Sequence, residues 1–277
     1  MPHVRRRVSA LSKLMSPGGA LLRWLAFASV LAAILAATFA PLEAQASGLL
    51  PSSSPGISLG WQDCRTGDGL GALNQNFGCG ISINDLPMFP ALVLAAPIDS
   101  VLSAEIVIDV EVATDSLPSW WHMEPGGCHS VPTGWTASLA TTSTCADPWG
   151  GAGSASVQGW LVGTPGGSTR HARLLVAVGG LPSTLVTLQA GVAYSLGRIA
   201  LRSDNSLTCE GCSVPACLVF NSVLVRRLPG STPESVVFST PEVAGRNMVV
   251  WQGGTGADCQ AVPTRRSTWG AVKALYR

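Results

Sequence analysis

The sequence predicts an all-β protein, an antiparallel two-sheet β-sandwich stapled by disulfides behind an N-terminal signal-peptide helix. Three observations carry that expectation. All eight cysteines lie after a leader with the character of an export signal. From Ile57 onward, about ten short apolar or alternating runs are separated by Gly, Pro, Ser and Asp, the pattern of strands and turns. Almost nothing has helical period and length, so the runs pack as sheets on each other and not as a βαβ array. No repeat at a fixed period favours a propeller or a solenoid.

The elements follow in chain order. Arg5, Arg6, Arg7, Lys13 and Arg23 make a basic stretch ahead of an uncharged apolar run from Trp24 to Ala40. Pro41 and Ala44-Gln45-Ala46 then give a cleavable signal over residues 1–46, with a retained membrane anchor as the alternative. The Arg6-Arg7 pair matches the twin-arginine route poorly, so ordinary secretion is expected. Residues 47–56, rich in Ser, Pro and Gly, read as a flexible leader, and residues 57–277 as one sandwich domain.

The clearest strand is Ala104–Ala113, where Ile106, Ile108, Val110 and Val112 face one way and Glu105, Asp109 and Glu111 the other. That gives it a core face and a wet face. Further strands are expected at Ile57–Trp61, Ala91–Ala96, Trp135–Leu139, Ser156–Val162, His171–Val178, Leu185–Leu188, Val192–Leu201, Cys217–Arg226, Val236–Phe238 and Met248–Trp251. The one helical candidate is Thr268–Tyr276, which could equally be a last strand.

Charge narrows the partners. The first 46 residues hold five of the 17 Lys+Arg and one of the 16 Asp+Glu, leaving 12 against 15, a net charge of −3. Nucleic acid is therefore excluded as an expected partner, because phosphate binding needs clustered cations. The one basic cluster, Arg265, Arg266, Lys273 and Arg277, reads as a solvated tail. Lys273 is the only lysine after the leader, and such arginine-, alanine- and glycine-rich usage suggests a bacterial source.

Cysteine spacing suggests three groups: Cys64 with Cys79, Cys128 with Cys145, and Cys209, Cys212 and Cys217 with the distant Cys259. Nearest-neighbour pairing gives Cys64–Cys79 and Cys128–Cys145, each closing a loop of about 15 residues and contributing on the order of 3 kcal/mol. One bridge within Cys209–Cys217 and one from that cluster to Cys259 complete the expectation. A four-thiolate zinc site at Cys209, Cys212, Cys217 and Cys259 is the alternative. A missing second knuckle and an oxidising compartment weigh against it, so no metal or other cofactor is expected.

Catalytic motifs are weak. Gly56-Ile57-Ser58-Leu59-Gly60 matches a nucleophile elbow in letters, but no helix follows Ser58. His122-Met123-Glu124 has the first half of a zinc deaminase signature without its second half. His122, His129 and His171 are the histidines left after cleavage, with no metalloprotease pattern among them. Glu105, Asp109, Glu111, Asp115 and Glu124 could supply a glycosidase pair, although a solvated strand face explains most of them. Gly67-Asp68-Gly69-Leu70-Gly71 is a turn-rich loop, and Asp63, Asp68 and Asp85 carry no calcium-loop signature. No catalytic residue is assigned.

Aromatic usage is the remaining hint. Trp120 and Trp121 are adjacent in Leu117-Pro118-Ser119-Trp120-Trp121-His122, and on a strand adjacent residues face opposite ways. At least one is then exposed as a ligand-stacking platform for a sugar or a partner protein, unless both cap the core.

The segments Trp61-x-Asp63-Cys64, Leu117-Pro118-x-Trp120-Trp121 to Gly127-Cys128, Cys209-x-Gly211-Cys212-x-x-Pro215-x-Cys217 and Thr268-Trp269-Gly270-x-x-Lys273-x-Leu275-Tyr276-Arg277 resemble a group of uncharacterised secreted bacterial proteins. That group implies export, and it carries no established activity to inherit. A fainter likeness, in Leu188-x-Ala190-Gly191-x-x-Tyr194-x-Leu196-x-Arg198-Ile199, is to cohesin-like and carbohydrate-binding sandwiches, with a jelly roll as the other sandwich type. It implies a binding scaffold. The expected function is a secreted, non-enzymatic binding or surface-assembly module, at the cell surface or beyond it, with the periplasm second. Its partner would be a carbohydrate or an extracellular protein, and no membrane partner is expected after cleavage. An extracellular hydrolase and a self-associating coat protein are the alternatives.

Overall fold

The computed structural model describes residues 54–65, 70–80, 85–130, 134–181, 183, 185–202 and 208–259. The signal segment, most of the leader, the Thr268–Tyr276 candidate and the basic tail lie outside them. Among the described residues the chain is β1 (Gly56–Trp61), β2 (Asn74–Gln75), β3 (Asp85–Val93), β4 (Ile98–Val112), β5 (Trp135–Ser138), β6 (Gly153–Val162), β7 (His171–Gly180), β8 (Val186–Leu188), β9 (Ala193–Ser195), β10 (Arg198–Arg202), β11 (Ala216–Arg227), β12 (Ser235–Phe238) and β13 (Met248–Trp251).

The strands form two packed sheets, as an all-β sandwich should. One has the order β1-β3-β10-β5 with β9 also on β3, and the other β2-β13-β11-β4-β7-β6 with β12 on β11 and β8 on β4. Every pairing between strands is antiparallel save the short β13–β2 pair, which is parallel.

The 15-residue β4 is the spine of the larger sheet, paired along its length with β11 and β7. Its Ala104, Ile106, Ile108, Val110 and Val112 are at most 1% exposed and face Ile57, Leu59, Met88, Leu92, Ile199 and Leu201 of the smaller sheet in one apolar core. Alternation with period two puts these side chains inside, and burying each Ile, Val, Leu or Met among them contributes about 1.5–3 kcal/mol. Trp135 on β5 and Trp160 on β6 meet across one side of the sandwich, with ring centroids 5.9 Å apart.

β3 is wider than the Ala91–Ala96 run predicted, because Pro87 and Pro90 hide its first half from a propensity reading. Proline is expected at sheet edges, yet β3 is central. The register explains both. Pro90 lies between the stretches of β3 paired with β10 and β9, where its carbonyl accepts from Leu196 N at 2.9 Å. Pro87 lies just past the last β1 partner, where its carbonyl accepts from Gln62 N at 2.7 Å. On that side of β3 each proline lies just beyond the end of a strand ladder, where a missing donor costs little. The Val192–Leu201 run is likewise broken at Leu196-Gly197 into β9 and β10.

The outer face of β4 corrects its description as a wet face. Asp109 is 5% exposed and accepts two bonds from Arg173, at 2.6 and 3.0 Å, and a further bond from Asn221. Arg173 lies directly across the ladder, and Asn221 occupies the register shift between Phe220 and Ser222. Glu105 pairs with Arg226, and Glu111 with Arg170 at 2.7 Å and His171 at 3.0 Å. Each outward carboxylate of the strand is committed to a cation on a neighbouring segment.

Candidate functional site at the stapled end of the sandwich

Eight cysteines make four disulfides, and the pairing differs from the nearest-neighbour expectation. The bridges are Cys64–Cys145, Cys79–Cys212, Cys128–Cys209 and Cys217–Cys259. Cys64–Cys79 and Cys128–Cys145 do not form, and no bridge closes within Cys209–Cys217. Only the link from that cluster to Cys259 is as expected. Sheet topology is the reason: crossovers bring segments 81 to 133 residues apart together in three of the bridges. On the chain-entropy estimate such long loops contribute about 4–5 kcal/mol each, more than the short loops would. With all eight sulfurs bonded to one another, the four-thiolate zinc alternative is excluded.

Two of the bridges frame one end of the molecule. Cys79–Cys212 and Cys128–Cys209 tie three irregular stretches around a cluster of rings. Trp251 is its hub, stacked on Trp120 at 5.1 Å and 20°, edge-on to Trp121 at 6.2 Å, and near Trp61 at 6.3 Å and Phe77 at 5.8 Å. Trp120 and Trp121 meet edge to face at 4.9 Å, and His129 lies 5.0 Å from Trp120. The Trp251 indole donates to Cys212 O at 2.7 Å and the Trp61 indole to Val250 O at 3.0 Å.

This overturns the stacking-platform expectation. Trp120 and Trp121 are both 0% exposed. The segment is a single 3-10 turn, Ser119–Trp121, not a strand, so adjacent side chains need not face opposite ways. Trp120 N bonds to Glu210 O at 2.8 Å, which draws the turn onto the Cys209–Cys212 loop. Gly211 makes that approach possible: its φ is +103°, and a Cβ there would sit 2.3 Å from Pro118 Cβ.

Above the rings the chain turns back through His122–Cys128 and leaves an open recess of about 400 Å³, lined by Ser119, His122, Glu124, Pro125, Gly126, Gly127 and Cys128. His122 Nδ1 is 2.6 Å from Glu124 Oε1, and His122 Nε2 is 3.1 Å from Leu117 O. The other carboxylate oxygen, Glu124 Oε2, is buried and has no hydrogen-bond partner among the described residues. Gly127 N bonds back to Glu124 O at 2.8 Å, and His129 N to His122 O at 3.0 Å, so the loop is held at both ends. The recess therefore presents a carboxylate held by a histidine, with the exposed Ser119 beside it.

The remaining candidates lie elsewhere. Ser58 is inside β1 at 0% exposure, which rules out an exposed nucleophile. Asp63 accepts from Cys64 N at 2.7 Å, Ser143 Oγ at 2.9 Å and Thr144 N at 2.8 Å, clamping the Cys64–Cys145 bridge. Asp85 faces Arg198 and Arg202 at 3.5 and 3.9 Å. His171 and Glu111 border a second recess of only about 10 Å³, room for roughly one water. Arg65 donates to Met248 O at 2.9 Å, and burial, then the nearby Arg246, lowers its pKa from the ordinary value. Among the described residues no group of three or more His, Cys, Asp or Glu is arranged to hold a metal ion, and no helix is long and apolar enough to cross a membrane.

Compared with protein families, curated proteins and solved structures, the chain matches none. Its four disulfides point to an oxidising compartment outside the cytosol. The sequence missed the recess because its residues are ordinary turn formers. The one available signal was His122-Met123-Glu124, whose first and third residues do come together.

Proposed function

We propose that the protein is an exported, non-enzymatic binding module that takes a hydroxyl-rich ligand, a carbohydrate, in the recess over the tryptophan cluster. The observation that carries this reading is Glu124. Its side chain is 34% exposed, is held by His122 at 2.6 Å, and lines an open recess of about 400 Å³ whose volume suits a small ligand. A carboxylate has up to four lone-pair sites, and a sugar hydroxyl can donate to the exposed part of the Glu124 carboxylate. Ser119 is exposed at the rim and can donate or accept. Recognition then rests on polar contacts to a covalently fixed frame, not on stacking against Trp120 or Trp121.

Titration of the purified protein with a panel of neutral and acidic oligosaccharides, followed by calorimetry and by tryptophan fluorescence, tests the reading. At least one class should bind, and Glu124→Gln should weaken it by about tenfold or more, as loss of a hydrogen bond to a charged group does. No heat or fluorescence change across the panel, or equal binding by Glu124→Gln, contradicts it.

A further inference from the structure

The two long borders of the sandwich are treated differently. β1 has all six residues buried, and its outer side is bonded: Ile57 N to Thr240 O at 2.9 Å, Glu242 N to Ile57 O at 3.0 Å and Leu59 N to Arg246 O at 2.8 Å. β6 forms one border of the larger sheet and, among the described residues, pairs only with β7. Its ten residues, Gly153-Ser-Ala-Ser-Val-Gln-Gly-Trp-Leu-Val162, include no charge and no proline. Charges, prolines and very short strands are the usual protections of an exposed edge, and β6 has none of these.

The rim under that edge is also incompletely covered. Ala155 and Val157 lie across from Val178 and Val176, whose side chains are in the core, yet remain only half-buried. The facing strand, β5, has four residues against ten in β6.

The first half of β6 is complementary to itself. Set antiparallel to a second copy with Ala155 opposite Ala155, Gly153 faces Val157 and Ser154 faces Ser156. The inward residues then meet inward residues, and the outward serines meet outward serines, with no like charges opposed. Gln158 Nε2 donates to Ser156 Oγ at 2.5 Å, which leaves the Ser156 hydroxyl proton for the facing serine. The register with β7 shifts between Val157 and Gly159, so the regular stretch ends at Val157.

We propose that Gly153–Val157 is a self-association edge, at which a second copy of this chain adds antiparallel across a two-fold axis and continues the larger sheet. The interface is isologous, and five paired residues bury less than the roughly 1,200–2,000 Å² of a stable dimer. Association is therefore reversible and strengthens where copies are concentrated. It is independent of the sugar reading, since the edge shares no residue with the recess.

Sedimentation velocity over a rising concentration series tests it, with wild type, Ser156→Lys and Thr187→Lys compared. Ser156 and Thr187 are both exposed strand residues, so either lysine is compatible with the fold, which far-UV circular dichroism checks. The wild type should move from monomer to dimer. Ser156→Lys should raise the midpoint concentration at least tenfold, while Thr187→Lys on β8 leaves it within twofold. A wild type that stays monomeric to its solubility limit overturns the proposal, as does a Ser156→Lys midpoint equal to wild type or a Thr187→Lys effect as large.

Discussion

The stapled end and the β4 spine bury their side chains by opposite means. Along β4, a period-two alternation and antiparallel partners on both sides order the chain, and the same pattern selects the core residues. At the stapled end, Phe77, Trp120, Trp121 and His129 lie in turns and short irregular stretches, and disulfides with indole-to-carbonyl bonds replace the ladder. Regular backbone makes a local pattern sufficient for burial. Irregular backbone needs covalent and side-chain ties from segments far away in sequence.

The sharpest way to break that comparison is to remove the hub. Trp251→Ala deletes the ring that touches Trp61, Phe77, Trp120 and Trp121, and should cost about 3–5 kcal/mol in denaturant unfolding with the disulfides intact. A loss below about 1 kcal/mol would mean that the bridges alone hold this end.

The spine has its own non-periodic feature, and it should respond somewhat less. Arg173→Leu strands Asp109 at 7% side-chain exposure, and breaking such a buried pair costs about 3 kcal/mol or more. Combining it with Asp109→Leu should recover most of the loss, because the cost lies in the unpaired charge. Urea melts of the two single variants and the double variant measure this. A double variant no more stable than Arg173→Leu alone would show that the pair orders the sheet in its own right.

Legibility followed the same division. The β4 alternation, the Cys217–Arg226 and His171–Val178 runs, and the sandwich they imply were readable, since strand period and burial coincide there. Pro87 and Pro90 concealed half of β3, because only the register reveals that each lies just beyond the end of a strand ladder. Asp109 read as solvated because its cover comes from Arg173 and Asn221, distant in sequence. Trp120 and Trp121 read as a strand pair because nothing local announces a 3-10 turn drawn onto Glu210. The disulfide partners were illegible for the same reason: spacing along the chain carries no information on crossovers. The recess was half visible, as His122 and Glu124, but its lining also includes Gly126, Gly127 and Cys128, and Cys128 is tied to Cys209, 81 residues away.

Peptide mapping of the unreduced protein by mass spectrometry tests the central claim most directly, that long-range bridges lock an aromatic end onto a two-sheet body. The expected linked peptides are Cys64 with Cys145, Cys79 with Cys212, Cys128 with Cys209 and Cys217 with Cys259. Recovery of Cys64 with Cys79, of Cys128 with Cys145, or of free thiols at Cys128 and Cys209 would contradict it.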